Sequence, residues 1–456
     1  MGGKRKRGIS FGTVFMLLLT AAVVSASVMI MPRLAGKMDQ RIDATELAGA
    51  ITSSLDLPSL TLSDIPILPK PAATSVPASA GPVYTPGENA KTALPPAGTP
   101  APSATKEPNR RTFTLTAAGS IAFSSDIRKS VYSQESETYD YTGIFQLIRP
   151  SVEGDICLAT LENTMVESGK LSDVNVTGDI LEGLKSAGLD MLALGHEHLL
   201  DLGLEGLLET VTAARKAGFT DVGAVTDSQE ESGAVFMDLG GVQTVFFHYT
   251  DTISSAGKRV IKEQDCAYAL PAYSREQVTA DIAEARAQGA QVVVVLIHWG
   301  SDNQSKVTKD QQEMAQEIAD AGADILLGAH NEVVLPIVYL TGNRADGTKR
   351  PTLVCYSLGA LLTGSRESAN IAGMLLHLTI SYDQDSGIVA FDRVRYTPTY
   401  IWRYREDGRY NYRVTASDQA PPDGMDDKQQ SVMGRARERI DAQLADSPAR
   451  PAGAEE

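Results

Sequence analysis

The sequence has few cysteines and a shortage of positive charge. Its 456 residues include 3 cysteines, an odd number that allows at most one disulfide, so a fold held together by several disulfides is excluded. Buried free thiols are the favoured interpretation. Lys and Arg number 41 against 57 Asp and Glu, which gives a formal net charge of -16. Passive binding of nucleic acid or another polyanion is therefore not expected without a metal ion or a local basic patch.

The N-terminus has the pattern of a membrane anchor. Residues 1–10 form a basic tip, in which residues 4–7 are all basic, and residues 11–31 carry no charge. A helix of that length spans the roughly 30 Å hydrocarbon core of a bilayer. The basic flank predicts a cytoplasmic N-terminus and a single-pass protein of the cell membrane whose main domain is extracytoplasmic. The small residues Ser25-Ala26-Ser27 leave a cleaved signal peptide open, but an uncleaved anchor is favoured because the apolar run continues to Met31.

The rest of the chain divides by composition. Residues 32–111 form a linker rich in Pro, Ser, Thr and Ala, and more than half of the 22 prolines lie between residues 51 and 110. Such a segment buries too little apolar surface to order itself, so we expect a disordered, extended stalk. Residues 112–415 are expected to form the folded domain, since the chain is 43% hydrophobic and long enough for a substantial core. Residues 416–456 are polar and predict a disordered tail with at most one helix, near residues 430–444.

Strand and helix signals alternate within residues 112–415. Five short apolar runs predict strands buried on both faces, at residues 113–118, 156–160, 191–194, 291–297 and 324–327. Helical stretches lie between them, with capping boxes predicted for Ser274 with Gln277 and for Thr308 with Gln311. The order strand, helix, strand predicts an α/β fold with a largely parallel sheet. Residues 235–249 and 352–382 look instead like paired strands, which predicts a mixed second sheet.

Polar residues follow each of these five predicted strands. They are Gly119-Ser120, Glu162, His196-Glu197-His198, His298 and His330-Asn331-Glu332. Because ligands bind at the carboxyl ends of strands in open α/β sheets, we expect these side chains to converge. Imidazole and carboxylate groups bind zinc, manganese or iron, so a metal site, or the remnant of one, is favoured over a set of structural histidines. His248 and His377 lie inside strand-like runs and are interpreted as structural.

A family resemblance adds to this pattern. The motifs that carry it occur in order within residues 113–400: Ala187-Gly188-Leu189-Asp190, Leu200-Asp201-Leu202-Gly203, Gly206-Leu207-Leu208, Ala217-Gly218, Val222-Gly223-Ala224, His298-Trp299-Gly300, Ala321-Gly322-Ala323-Asp324, Gly328-Ala329-His330 leading to Pro336, and Tyr356-Ser357-Leu358-Gly359. This stretch resembles the CapA family of bacterial capsule and poly-γ-glutamate biosynthesis proteins. The resemblance implies a metallophosphatase-like α-β-β-α sandwich of the calcineurin type, with a divalent metal site.

Several motifs of that family are altered in this chain. Family members have Gly-Asp after the first strand, whereas this chain has Ser120, which removes a carboxylate expected to help hold a metal. Where the family has Asn-Asn-His, this chain has His196-Glu197-His198, and where it has His-Pro-His, this chain has His330-Asn331-Glu332. The Tyr-Ser-Leu-Gly-Asn-Phe motif of the family ends here in Ala360-Leu361.

The resemblance then implies a set of two histidines and three carboxylates as candidate metal ligands: Glu162, Glu197, His298, His330 and Glu332. Such a set suits Mn, Fe or Zn. One metal is favoured over two, because two metals need bridging ligands and the Asp is lost at position 120; a degenerate site that holds no metal is the alternative. His198 is then expected to donate a proton to a leaving group rather than to bind metal, with a pKa near the ordinary value of about 6.5.

Two functional hypotheses of different class follow. The first is a membrane-anchored, extracytoplasmic CapA-like protein that acts on or handles an anionic envelope polymer such as poly-γ-glutamate, as a metal-dependent hydrolase that uses activated water. The second keeps the fold without the chemistry: a pseudoenzyme that serves as a scaffold or binding subunit of a polymer synthesis and export complex. Ser120 and the altered motifs motivate the second hypothesis. The expected partners are the polymer, or the synthase and export subunits, and the membrane, but not nucleic acid.

Overall fold

The computed structural model describes residues 109–228, 233–344, 347–406 and 408–453. The basic tip (1–10), the predicted transmembrane helix (11–31) and nearly all of the linker (32–111) lie outside these ranges. Among the described residues, no helix is both long enough and apolar enough to cross a membrane.

The strands follow one another along the described chain in this order: β1 (Arg110–Ile121), β2 (Tyr132–Ser133), β3 (Thr138–Tyr139), β4 (Ile156–Leu161), β5 (Thr164–Met165), β6 (Asn175–Val176), β7 (Met191–Ala193), β8 (Thr220–Val222), β9 (Val235–Leu239), β10 (Val242–Thr250), β11 (Val292–His298), β12 (Ile325–Ala329), β13 (Val334–Asn343), β14 (Lys349–Leu358), β15 (Ala360–Leu362), β16 (Ala372–Asp383), β17 (Ile388–Glu406), β18 (Arg409–Ala416) and β19 (Arg450–Pro451). The helices are α1 (Ser125–Val131), α2 (Thr142–Phe145), α3 (Ile180–Ser186), α4 (Gly203–Lys216), α5 (Ser255–Gln264), α6 (Arg275–Ala287), α7 (Lys309–Ala321) and α8 (Asp427–Gln443). All five strands predicted from apolar runs are present, as β1, β4, β7, β11 and β12.

Two mixed sheets contain most of these strands. The nine-stranded sheet has the order β18-β17-β16-β1-β4-β7-β8, with β15 beside β1 and β19 beside β17. Its strands β1, β4, β7 and β8 are parallel, whereas β16, β17 and β18 are antiparallel to their neighbours. The six-stranded sheet has the order β13-β14-β12-β11-β10-β9, in which β9 and β13 are antiparallel edges.

The predicted paired strands are confirmed in one place and corrected in the other. The run at residues 235–249 forms the antiparallel pair β9 and β10. The run at residues 352–382 pairs with itself only through an isolated bridge between Gly359 and Gly373, because β14 joins the six-stranded sheet and β16 joins the nine-stranded sheet. The chain thus crosses from one sheet to the other within this run.

Three apolar clusters show how the layers stack. One lies between the two sheets and includes Leu115 of β1 and Val294 of β11. A second packs α1 to α5 against the nine-stranded sheet, and a third packs α6 and α7 against the six-stranded sheet. Burial of both faces of each sheet explains why the central strands are continuously apolar. The described residues therefore form a mixed α/β fold in four layers, helix, sheet, sheet and helix.

The expectation of a disordered tail at residues 416–456 is wrong for the part that the structure describes. Helix α8 corresponds to the one helix predicted near residues 430–444, and it begins with a capping box in which Asp426 and Gln429 bond reciprocally. Met433, Ala436 and Ile440 are buried on this helix, and β19 then pairs with β17. The three apolar residues lie on one face among many charged ones, a signal too sparse to stand out in the composition. The folded domain extends beyond residue 415.

The predicted capping box is confirmed at Thr308 and the free cysteines are confirmed, whereas at Ser274 the structure shows the cap of the serine side chain without the reciprocal bond of Gln277. The Ser274 hydroxyl accepts a hydrogen bond from the Gln277 backbone at the start of α6, and Thr308 with Gln311 forms a complete capping box at α7. The three cysteines are buried and unpaired, as expected for free thiols.

Candidate metal centre

The strand-end residues converge where the carboxyl edges of the two sheets meet. Ser120, Glu162 and the segment His196-Glu197-His198 come from or follow β1, β4 and β7 of the nine-stranded sheet, while His298 ends β11 and His330 follows β12 of the six-stranded sheet. Parallel strands place their carboxyl ends at the same edge, so the site lies at the junction of two such edges.

Three of the five predicted ligands form the closest group. One donor atom from each of Glu197, His298 and His330 lies within 4.8 Å of the other two. The ring centroids of His298 and His330 are 4.3 Å apart. Two imidazoles and a carboxylate are a donor set that suits Mn, Fe or Zn.

His298 is buried at this centre and Glu162 is partly buried, and key atoms of both lack partners. Among the described residues, neither ring nitrogen of His298 nor the Oε1 atom of Glu162 has a hydrogen-bond partner. His298 Nδ1 lies 3.8 Å from Glu162 Oε1. Burial lowers the pKa of His298 well below its ordinary value and raises that of Glu162 to about 8. Neutral imidazole with unpartnered, buried nitrogens is what a metal ion requires, so these residues fit a cation.

The backbone that positions His330 is strained. His330 has φ of 87° and Glu332 has φ of 57°, both in the left-handed region that side chains with a Cβ rarely adopt. Asn331 between them is fully buried: it donates a hydrogen bond to the Ser301 carbonyl at 3.0 Å and accepts one from Gln311 at 3.3 Å. These bonds hold the turn that directs His330 toward His298.

Glu332 lies beside the centre but outside the closest group. Its Oε1 accepts a hydrogen bond from the Thr363 hydroxyl at 2.8 Å, and its Oε2 accepts one from Asn370. Burial raises the pKa of Glu332. The structure therefore shows its two carboxylate oxygens engaged by the loop that follows β15, and its predicted ligand role stays a prediction.

His198 lies between two carboxylates. Its Nδ1 is 2.8 Å from Asp201 Oδ2, and its Nε2 is 3.4 Å from Glu197 Oε1. Hydrogen bonds to Asp201 and Glu197 raise the pKa of His198 to about 10, so the expectation of an ordinary pKa is wrong. At neutral pH the ring is charged and carries the proton that a general acid needs, with Nε2 facing the candidate ligand Glu197.

Neither Asp201, which occurs in one of the family motifs, nor its partner Ser254 was among the residues predicted for the site. The Ser254 hydroxyl donates a hydrogen bond to Asp201 Oδ1, so both oxygens of this carboxylate are fixed. The spacing of three residues between His198 and Asp201 was a signal available in the sequence, since such residues adjoin in a helical turn. Ser254 had no comparable signal, because it is 53 residues away along the chain.

The remaining strand-end residue and the other histidines are buried or half-buried. Ser120 is buried beside Glu162, and its hydroxyl cannot supply the charge of an Asp. His248 Nδ1 accepts a hydrogen bond from the Gly195 backbone at 2.9 Å. His377 lies 3.0 Å from both Thr116 Oγ1 and Thr397 Oγ1. The interpretation of His248 and His377 as structural agrees with these contacts.

Comparisons with curated proteins find relatives of stated function. The chain is 29% identical to the "Capsule biosynthesis protein CapA" of Bacillus anthracis over 40% of this chain and 42% of that protein. It is 26% identical to the "PGA biosynthesis protein CapA" of Bacillus subtilis over 55% of this chain and 66% of that protein. A "Probable polyglutamine synthesis accessory protein" of Mycobacterium tuberculosis is 25% identical over 51% and 63%, respectively. The chain thus spans less than two thirds of the length of these relatives.

Solved structures similar to this one include two enzymes. A novel phosphatase from Mycoplasma pneumoniae shares 10% identity at a TM-score of 0.36, over 63% of this chain and 93% of that one. A calcineurin-like phosphoesterase from Bacillus subtilis shares 11% identity at a TM-score of 0.37, over 73% and 99%. Values this low do not establish a common fold.

A family model gives the assignment. The model described as "Bacterial capsule synthesis protein PGA_cap" matches residues 114–365, more than half of the chain. This range contains every strand-end residue of the candidate metal centre. The chain belongs to the family of bacterial capsule synthesis proteins.

Proposed function

We propose that the protein is membrane-anchored and extracytoplasmic and takes part in capsule or poly-γ-glutamate biosynthesis. In this proposal it has a calcineurin-like metallophosphatase fold and uses one divalent cation to hydrolyse an anionic envelope polymer. Family membership and the printed names of the relatives support the biosynthetic role. The observation that carries the chemistry is the meeting of Glu197, His298 and His330, with both ring nitrogens of His298 buried and unpartnered among the described residues.

The residues have separable roles in this proposal. Glu197, His298 and His330 would hold Mn, Fe or Zn, which when bound supplies a Lewis acid and lowers the pKa of water. His198 donates the proton at Nε2 to the leaving group, and Asp201 holds the ring by its Nδ1 atom. Ser254 fixes Asp201, so the orientation of the ring is set before substrate binds. Burial of His298 keeps bulk water away from one side of the centre.

Metal content of the purified full-length protein tests the site. We expect about one equivalent of Mn, Fe or Zn in the wild type and its loss in His298→Ala and His330→Ala. His377→Gln is the matched control, because it removes an imidazole whose contacts are with Thr116 and Thr397, away from the centre. Equal metal content in all four proteins would exclude the site.

A second candidate function has its own observation. Ser120 removes a carboxylate, and Glu332 is engaged by Thr363 and Asn370, so two positions do not offer free ligands. A protein that had lost catalysis would still serve as a scaffold or binding subunit of a synthesis and export complex.

Polymer production in cells separates the two functions. Under the hydrolase hypothesis, His198→Gln keeps metal binding and assembly but loses activity on the polymer. Under the scaffold hypothesis, simultaneous substitution of His198, His298 and His330 leaves both polymer production and copurification with a membrane synthase intact. If that variant folds and assembles normally but polymer production is lost, the scaffold hypothesis is excluded and the hydrolase hypothesis is not.

A further inference from the structure

A cationic pocket lies apart from the candidate metal centre. We call it the arginine–tyrosine pocket; its lining includes Arg128, Lys129, Tyr132, Tyr139, Arg409 and Tyr410. Its volume is about 520 Å³, within the usual range for ligand sites. The pocket is formed where α1 and the β2–β3 hairpin meet the first residues of β18, an edge strand of the nine-stranded sheet.

The ring of Tyr410, which is part of the pocket lining, contacts two arginine side chains that lie next to the pocket. The Arg403 guanidinium lies over the Tyr410 ring at 3.7 Å from its centroid, and that of Arg405 lies at 6.0 Å. Stacking occupies the flat face of a guanidinium and leaves its in-plane N–H groups free to bond a carboxylate. Arg403 Nε is buried and has no hydrogen-bond partner among the described residues. Tyr410 is 48% exposed, so the stacked pair is accessible.

The charge of this region is opposite to that of the whole chain. Three arginines, Arg403, Arg405 and Arg409, line the pocket or lie next to it, whereas the chain carries -16 overall. The one acidic residue in the pocket lining, Asp126, is paired with Arg366 at 3.2 Å and Lys129 at 4.0 Å. Its charge is thereby largely offset, and the pocket presents a local cationic surface on an acidic protein.

One loop connects the pocket to the candidate metal centre. After β15, Thr363 donates its hydrogen bond to Glu332 at the centre, and Arg366 pairs with Asp126 at the pocket. Three residues of chain span at most about 10 Å. The backbone of the two loop residues that make these contacts is therefore close together, and an extended polymer that follows this loop would pass from one site toward the other.

We propose that the arginine–tyrosine pocket binds the carboxylate groups of an extended anionic polypeptide while a neighbouring part of the same chain lies at the metal centre. Guanidinium groups bind carboxylates through paired, charge-assisted hydrogen bonds, and the exposed ring of Tyr410 would cover the methylene groups between them. An acidic protein repels a polyanion, as the net charge of the chain implies. The cationic pocket would offset this repulsion locally and bind the polyanion. The choice of poly-γ-glutamate as the polymer rests on the proposed function.

Binding of fluorescein-labelled poly-γ-glutamate to the full-length protein, measured by fluorescence anisotropy, tests the pocket. The double variant Arg405→Glu/Arg409→Glu is expected to bind at least about tenfold more weakly, because two exposed charged donors are reversed. Its control, Lys428→Glu/Arg435→Glu, makes the same change in net charge at exposed positions of α8 and is expected to bind within about twofold of wild type.

A second variant leaves the charge unchanged. Tyr410→Leu removes the ring on which Arg403 stacks, and it is expected to weaken binding severalfold while the thermal unfolding midpoint stays close to that of wild type. Equal weakening by both charge-reversal pairs would reduce the effect to net charge and overturn the proposal. So would unchanged binding in Arg405→Glu/Arg409→Glu, or no binding by wild type, or displacement by polyphosphate as effective as displacement by unlabelled polymer.

Failure of the proposed function has a different signature. If cells lacking this protein make normal amounts of polymer, but the purified protein binds poly-γ-glutamate in a pocket-dependent manner, the biosynthetic role fails and the pocket stands. If polymer production depends on the protein but the pocket variants bind normally, the pocket assignment fails and the biosynthetic role stands.

Discussion

At position 120, a serine hydroxyl in place of an aspartate carboxylate changes the charge of the candidate metal centre. Ser120 is buried beside Glu162, and burial already raises the pKa of Glu162 to about 8. Without a bound cation, a carboxylate at position 120 would lie next to Glu162, which is itself protonated at neutral pH because its surroundings do not stabilise a negative charge. The serine therefore lowers the electrostatic cost of the metal-free state, and it also removes a ligand that a second metal would need.

Ser120→Asp is expected to increase the metal content from about one equivalent toward two. Without metal, the same substitution should destabilise the protein by about 3 kcal/mol or more, because it buries an unpaired charge. Metal analysis together with chemical denaturation, with and without Mn, measures both effects. Ser120→Asn is the control of similar shape without the charge, and equal metal content in the two variants would contradict the assignment.

His377 predicts a pH dependence of stability away from the metal centre. Burial lowers its pKa to about 4, whereas an unfolded histidine has a pKa near 6.5. Between these values the unfolded state binds more protons, so stability falls as pH decreases from about 6.5 to 4. The contribution of His377 is at most about 3.5 kcal/mol, at about 1.4 kcal/mol for each unit of pKa shift.

Denaturant unfolding at several pH values checks this prediction. The free energy of unfolding of His377→Gln should decline less steeply than that of wild type between pH 6.5 and 4. Other buried histidines keep part of the slope in both proteins, so the difference between slopes is the quantity to measure. Identical slopes would mean that His377 is not held in its neutral form.

At the scale of elements, helix α7 connects a capping box to the candidate metal centre. Gln311 accepts a hydrogen bond from the Thr308 backbone through its Oε1 atom and donates one to Asn331 through its Nε2 atom. Asn331 lies in the strained turn that carries His330 and Glu332. The start of the helix thereby supports the turn that orients a candidate ligand.

Gln311→Leu is expected to lower the metal affinity about tenfold or more, as is typical when a group that orients a ligand is removed. Thr308→Ala is the control, because it removes the N-terminal cap at a cost of about 1 kcal/mol in stability but leaves the Gln311 contact with Asn331. Metal titration of both variants measures the difference. An affinity that falls equally in both would show that the helix end, and not the contact with Asn331, matters.

At the scale of the whole molecule, the net charge of -16 is distributed unevenly. Acidic groups gather at the candidate metal centre, whereas the arginine–tyrosine pocket is cationic and joined to it by one loop. This separation allows an acidic protein to receive both a cation and a polyanion. It also predicts that polymer binding weakens as salt is added, because the pocket charges are exposed.

The proposed export of the domain predicts the labelling of intact cells. Lys309 and Lys428 are exposed, so a membrane-impermeant amine-reactive biotin should label the protein as fully in intact cells as after lysis. Mass spectrometry of the labelled peptides measures this, and a cytoplasmic protein of the same cells is the control. Labelling that occurs only after lysis would place the domain inside the cell.

The sequence by itself determined the local elements and the residue types at their ends. Continuous apolar runs predicted β1, β4, β7, β11 and β12, because burial of both faces leaves a signal within each strand. The polar residues that follow these strands predicted the site, and the family motifs predicted its kind. The tail was mispredicted because α8 contacts the core through a few apolar residues that composition does not reveal.

Only the tertiary structure decided which distant residues meet. It divided the five strands between two sheets, placed Ser254 on Asp201, engaged Glu332 with Thr363 and brought Lys129 to the same pocket as Arg409. These contacts join segments tens to hundreds of residues apart. Periodicity and spacing report only on neighbours along the chain, whereas such contacts arise from the packing of whole layers.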